Sequence, residues 1–275
     1  LPFVVGADPN VEGFKVNNLS LEPSVRERLE DRQTLLASFD NLRREVDRSG
    51  MMESIDKFHQ QAINLLTSER ARQAFDITQE DDATRERYGR HKWGQHALLA
   101  RRLVDAGTSF VTMEMQNPSI PGGIGNWDIH AVNGHLYDDT RARLPVFDKA
   151  VSALVEDLYE RGLDKKVMLI VSGEFGRTPR INPQKGTQSK IMQPGRDHYP
   201  AAMSVLVSGG GMPTGQVIGS TNPKGEHPQD RPLDPNDLLA TIYRFLGIDH
   251  EAMVEDNSGR PIPLIPGGTA IEELL

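Results

Sequence analysis

The chain has 275 residues, 37% of them apolar, with 39 Asp and Glu against 31 Lys and Arg and no cysteine. That is enough apolar material for one large α/β domain with an annex, while the net charge of −8 argues against a general nucleic-acid or membrane-surface role, because phosphate backbones reward clustered Lys and Arg. Without Cys there are no disulfides, no thiolate catalysis and no Cys-ligated zinc, and the longest apolar run, "VMLIV", is far too short to span a membrane.

The opening "LPFVVGADPN" has neither a basic n-region nor a long apolar h-region, and it begins at Leu rather than Met, which reads as part of a longer product. Residues 1–90 form an annex that is mostly helical. Val25, Leu29, Leu36, Phe39, Leu42 and Val46 recur at helical spacing between Pro23 and Gly50, and Ile55, Phe58, Ala62, Leu65 and Leu66 mark a second amphipathic helix. Ser68 is placed to cap a short turn ending at Phe75, and "DDATRERYG" reads as a short helix stopped by Gly89.

Residues 91–275 alternate helix and strand. "GQHALLARRLVDAG" is a helix ended by Gly107, and "TSFVTMEM" is a β-branched run that predicts a strand. "LPVFDKAVSALVEDLYERG" predicts a helix with Val151, Leu154, Val155 and Leu158 inward. The buried strand "KVMLIVS" follows, then a loop from Gly173 to Pro200, the strands "MSVLVSGGG" and "GQVIG", and the helix "PNDLLATIYRFLG". This order predicts an α/β fold with a largely parallel sheet sandwiched by helices.

Ligands of open α/β sheets bind outside the carboxyl ends of the strands, and "GEFGRTPRIN" delivers Glu174, Arg177 and Arg180 at such an end. "GNWDIHAVNGH" holds Asp128 and His130 two apart, so an extended backbone puts both on one face, with Asn133 and His135 close behind. "GRDHYP" adds Arg196, Asp197 and His198. Asp128, His130, Glu174 and His198 form a mixed oxygen and nitrogen set suited to zinc or manganese rather than to an all-oxygen calcium cage. Each signal alone has a plainer reading: an Asp-x-His pair is more often solvated, Glu174 can pair with Arg177 or cap a turn, and Asp197 can serve only to orient a His. The remaining histidines, His59, His91, His96, His227 and His250, read as surface or satisfied residues. "PGGIGN" and "SGGGMPTG" lack the strand-to-helix context of a phosphate loop and read as turns.

"WDIHAVN", "GEFGRTPRIN", "GRDHYP", "SGGGMPTGQVIGST" and "DLLATIYRFLGI", in this order, resemble the family called domain of unknown function 1501, and "LLARRLVDAGTSFV" and "DRQTLLASFDNLRREVD" extend the likeness over nearly the whole chain. That family is grouped with the alkaline phosphatase and sulfatase superfamily, whose members hold one or two divalent metals at strand ends and hydrolyse or transfer phosphate or sulfate esters. The resemblance implies an alkaline phosphatase-like core with Asp128, His130, Glu174 and His198 as metal ligands. It also implies a small anionic ester, such as a sulfated or phosphorylated saccharide, as substrate, and an exported or periplasmic bacterial location. In such a site Arg177, with Arg196, is expected to hold the anionic oxygens, and Asp197 is expected among the catalytic groups beside them. Two departures stand out. Glu174-Phe175 replaces the superfamily's Asp-His, and the segment that carries the nucleophile has no counterpart before Phe110. A catalytically inactive relative that serves as a binding or scaffold module is therefore the alternative expectation.

Overall fold

A computed structural model describes residues 3–16, 68–118, 120–121 and 125–275, so the helices expected around Val25–Val46 and Ile55–Leu66 lie outside the described residues. The chain divides into two compact units, Leu1–Met113 and Glu114–Leu275. "GQHALLARRLVDAG", expected to open the α/β core, belongs to the first.

In the first unit Ser68 accepts a hydrogen bond from the Ala71 N–H at 3.1 Å and starts α1, Glu69–Phe75, as its position predicts. Asp81 caps α2, Asp82–Tyr88, and Gly89 stops it at φ 95°. Helix α3, Lys92–Asp105, begins under the imidazole of His91, whose Nδ1 accepts from the Gly94 N–H at 3.1 Å. An apolar face at helical spacing, Trp93, Ala97 and Leu98, is fully buried and packs α3 on α1 and α2.

The second unit is built on α4, Leu136–Glu160, which starts eight residues before the predicted "LPVFD" entry. Pro145 suggests a helix start by composition, but it lies inside the helix. The true start is His135, whose ring caps the Asp138 N–H, with Asp138 and Asp139 in the first turn where carboxylates favour the helix dipole. The Leu136 N–H donates to the Pro194 carbonyl, so the helix entry is tied to the later loop that carries His198. Val151, Leu154 and Leu158 are buried as their spacing predicts, and α4 packs against a two-stranded ladder.

That ladder joins β1, Met168–Val171, to a strand from "MSVLVSGGG", Leu206–Gly209, in antiparallel register with Met168 opposite Gly209. Both strands were expected in a parallel, doubly covered sheet. Instead β1 is only half-buried throughout, and Leu206 is 45% exposed. The described residues hold five two-stranded ladders, all antiparallel, and a large parallel sheet is not among them. "TSFVTMEM" forms no strand, and the pairing expected at "GQVIG" falls just after it, at Ser220–Thr221. β-Branched composition marks a segment that suits a pleated, half-buried surface; a ladder forms only where a neighbouring strand supplies hydrogen-bond partners. The expected closing helix is present as α5, Pro235–Phe245. Its N-terminus is a reciprocal capping box between Asp234 and Asp237, and it buries Ala240 against Ile265 and Ala270.

The stretch 173–200, expected as one long loop, contains four short strands: β2, Gly176–Arg177; β3, Gln184–Lys185; β4, Met192–Gln193; and β5, His198–Tyr199. β3 pairs with β4, and β2 pairs with β5, which sets Arg177 opposite His198. Gly176 is obligatory here: a Cβ on it would lie 1.8 Å from the Ala202 carbonyl oxygen. Gly176→Ala is therefore expected to destabilise the protein by about 1–3 kcal/mol through overpacking, read as a lower urea midpoint at unchanged m-value.

Candidate metal centre

Three polypeptide segments meet at the site, each placed by backbone contacts. The "WDIHA" turn is held by Gly195, where a Cβ would stand 1.9 Å from the Ala131 nitrogen, by the Gln193 side-chain amide donating to the Ala131 carbonyl at 2.6 Å, and by the Arg196 N–H donating to the Ile129 carbonyl at 3.4 Å. The β2–β5 pair brings "FGRTP" alongside "RDHY", and the Thr178 N–H donates to the Asp197 carbonyl at 2.9 Å. Within the turn Ile129 is buried, which leaves Asp128 and His130 on the opposite side, as the Asp-x-His spacing predicts.

Asp128, His130 and His198 converge. Asp128 Oδ1 lies 2.8 Å from His130 Nε2 and 2.6 Å from His198 Nε2, and the two imidazole nitrogens stand 3.2 Å apart. Tetrahedral zinc with bonds of about 2.0–2.1 Å sets ligand-to-ligand edges of about 3.3–3.4 Å, so the trio fits an ion after less than about 1 Å of spreading. The trio offers three donors and leaves one side partly open, His198 being 48% exposed.

Glu174, expected as a fourth ligand, is exposed and lies outside the converging group. The reason is local: β1 ends at Val171, the chain runs out through exposed Ser172 and Gly173, and it returns with Phe175, whose ring lies 4.4 Å from that of His198. The residue that reaches the ligand set from this segment is aromatic, not acidic.

Asp197, expected among the catalytic groups, backs the imidazole of His130. Its Oδ1 accepts from His130 Nδ1 at 2.9 Å, and the Asn182 side chain donates to its other oxygen at 3.4 Å. With an ion bound, a proton held on Nδ1 would leave the Nε2 lone pair to the ion, the arrangement by which a carboxylate orients a metal-binding imidazole. Arg177 donates from Nη2 to Asp128 Oδ1 at 3.2 Å and to the Trp127 carbonyl at 2.9 Å, and from Nη1 to the Arg196 carbonyl at 3.3 Å. Arg196 donates to the carbonyls of Thr178 at 2.5 Å and Arg177 at 3.2 Å. Both guanidinium groups thus bracket the loops that carry the site.

Sequence reasoning missed Trp127, Thr178 and Asn182. A lone Trp beside an acidic residue in a Gly-rich stretch is a usable signal for an anchor. Thr178, whose Oγ accepts from the Asp197 N–H at 3.1 Å, and Asn182 carry no such signal, because their partners are distant in sequence.

The sequence pattern of the family described as "Protein of unknown function (DUF1501)" matches residues 3–275. The chain belongs to this family. Searches of curated proteins and of solved structures return no match.

In this DUF1501 protein the site carboxylates are acidic. The hydrogen bond from His198, then that from Arg177 and the charges of His130 and Arg177, hold Asp128 below the ordinary carboxylate range; the hydrogen bond from His130, then that from Asn182, does the same for Asp197. A carboxyl group whose pKa falls on folding stabilises the native state above its unfolded pKa and loses that contribution as pH drops through the folded value. Asp197→Asn is therefore expected to be less stable than wild type at pH 7, with the difference shrinking as pH falls below about 4. Urea unfolding of the metal-free protein between pH 7 and pH 2 measures this.

Proposed function

We propose that this chain is a metal-dependent hydrolase of sulfate or phosphate esters, with Asp128, His130 and His198 holding one divalent ion, zinc or manganese. The observation that carries the reading is the meeting of one carboxylate oxygen and two imidazole nitrogens at 2.6–3.2 Å, with the second nitrogen of His130 backed by Asp197. When bound, such an ion supplies Lewis acidity toward an ester oxygen and lowers the pKa of an attacking hydroxyl. Asp197 keeps the His130 proton on Nδ1, Arg177 fixes the Asp128 carboxylate, and the His198 side stays open to a small anionic ester such as a sulfated or phosphorylated saccharide. The order of the motifs supports kinship with the alkaline phosphatase and sulfatase superfamily, and with it an exported or periplasmic location.

A second reading, an inactive binding or scaffold protein, is favoured by a specific observation. Arg177 and Arg196 direct their hydrogen bonds at backbone carbonyls and Asp128, not outward, and Glu174 stands apart from the trio.

Two substitutions separate the readings. The hydrolase predicts about one equivalent of zinc or manganese per chain, with metal uptake and hydrolysis of aryl sulfates or phosphates lost together in Asp128→Ala. Glu174→Ala is expected to retain full metal uptake. Metal analysis by mass spectrometry after dialysis, beside a chromogenic ester assay, reads both. Unchanged ester background in wild type, with only a shifted melting point in Asp128→Ala, supports the scaffold.

A further inference from the structure

Asp139 and Arg143 on α4 are 2% and 0% exposed, and they form a two-pronged ion pair at 2.9 and 3.0 Å. Replacing a buried pair of this kind by apolar residues is often neutral or stabilising, so its presence is weakly explained by stability. What the pair presents is a flat cation: the Arg143 guanidinium carbon lies 4.8 Å from the centroid of the Trp127 ring. One helical turn further along α4, Phe147 meets the same indole edge to face at 5.7 Å and 86°. The indole N–H donates to the Met115 carbonyl at 2.5 Å. Trp127 is thereby held by Arg143, by Phe147 and by the Met115 carbonyl.

The backbone of Trp127 faces the metal ligands. Its carbonyl accepts from Arg177 Nη2 and from the Ile129 N–H, both at 2.9 Å, and its Cα leads directly into Asp128. Fixing the indole restricts the side-chain torsions of Trp127 and so anchors the backbone from which the Arg177-binding carbonyl and Asp128 depart.

Resting on the metal-site reading above, we infer that Arg143, oriented by Asp139, is a positioning residue that sets the Asp128 carboxylate for metal binding through Trp127. It acts by restricting the turn that carries Asp128. Loss of an outer-shell partner of a metal ligand typically weakens metal affinity 10- to 100-fold, and a cation acting through one intervening residue is expected to be worth about tenfold.

The test is the zinc dissociation constant of the full chain, measured by competition with a chromophoric chelator on protein shown to be folded by its melting transition. The double variant Asp139→Leu with Arg143→Met keeps the volume buried and is expected to melt near wild type while binding zinc about tenfold more weakly. Arg143→Lys, which keeps the charge beside Asp139 but loses the flat guanidinium, serves if the double variant does not fold, and the same weakening is expected of it. Wild-type affinity in a folded variant, with only the melting temperature altered, overturns the positioning role and leaves the metal site standing. Zinc binding by neither wild type nor variant overturns both.

Discussion

The register of β2 against β5 is the constraint on which the site depends. Opposing Arg177 to His198 brings an imidazole and a guanidinium from segments about twenty residues apart in the chain to the same carboxylate oxygen of Asp128. A slip of one residue turns alternate side chains to the opposite face, which would carry His198 away from the trio and put Asp197 in its place. The glycine at 176 protects this register, since it alone lets the strand lie against the Ala202 carbonyl, and Gly195 lets the Asp128 turn close on the other side.

Around that pairing the polar groups are arranged in layers. Asp128, His130 and His198 converge, Asp197 and Arg177 hold the first two, and Asn182, Thr178 and Arg196 hold those in turn. Arg177, Thr178 and Arg196 hydrogen-bond to backbone as well, which fixes loops that rest on no wide sheet among the described residues. This is why guanidinium groups occur in a stretch with little hydrophobic cover: a planar cation with five donors can tie several carbonyls at once, which a lysine cannot do.

Much of the site was legible in the sequence because its signals are local. The Asp-x-His spacing, the dense "GRDHYP" and "GEFGRTPRIN" stretches, and the caps at Ser68 and Gly89 all act over a few residues. Glu174 was misplaced because proximity to a strand end does not say which side chain of the following turn faces inward, and Phe175 is the one that does. Composition places the start of the helix from Leu136 too late because Pro145 is a strong local start signal, whereas the tie of Leu136 to Pro194 depends on tertiary contact. The strand expected at "TSFVTMEM" and the parallel arrangement failed to appear among the described residues for a related reason. Composition records a preference for pleated backbone, while pairing and direction are decided by which neighbours are present.

The trio is unevenly accessible: His198 is 48% exposed, Asp128 38% and His130 22%. Solvent therefore reaches the ligands from one flank. On the proposed metal reading, a small chelator in the medium could approach a held ion from the exposed His198 side without the chain unfolding.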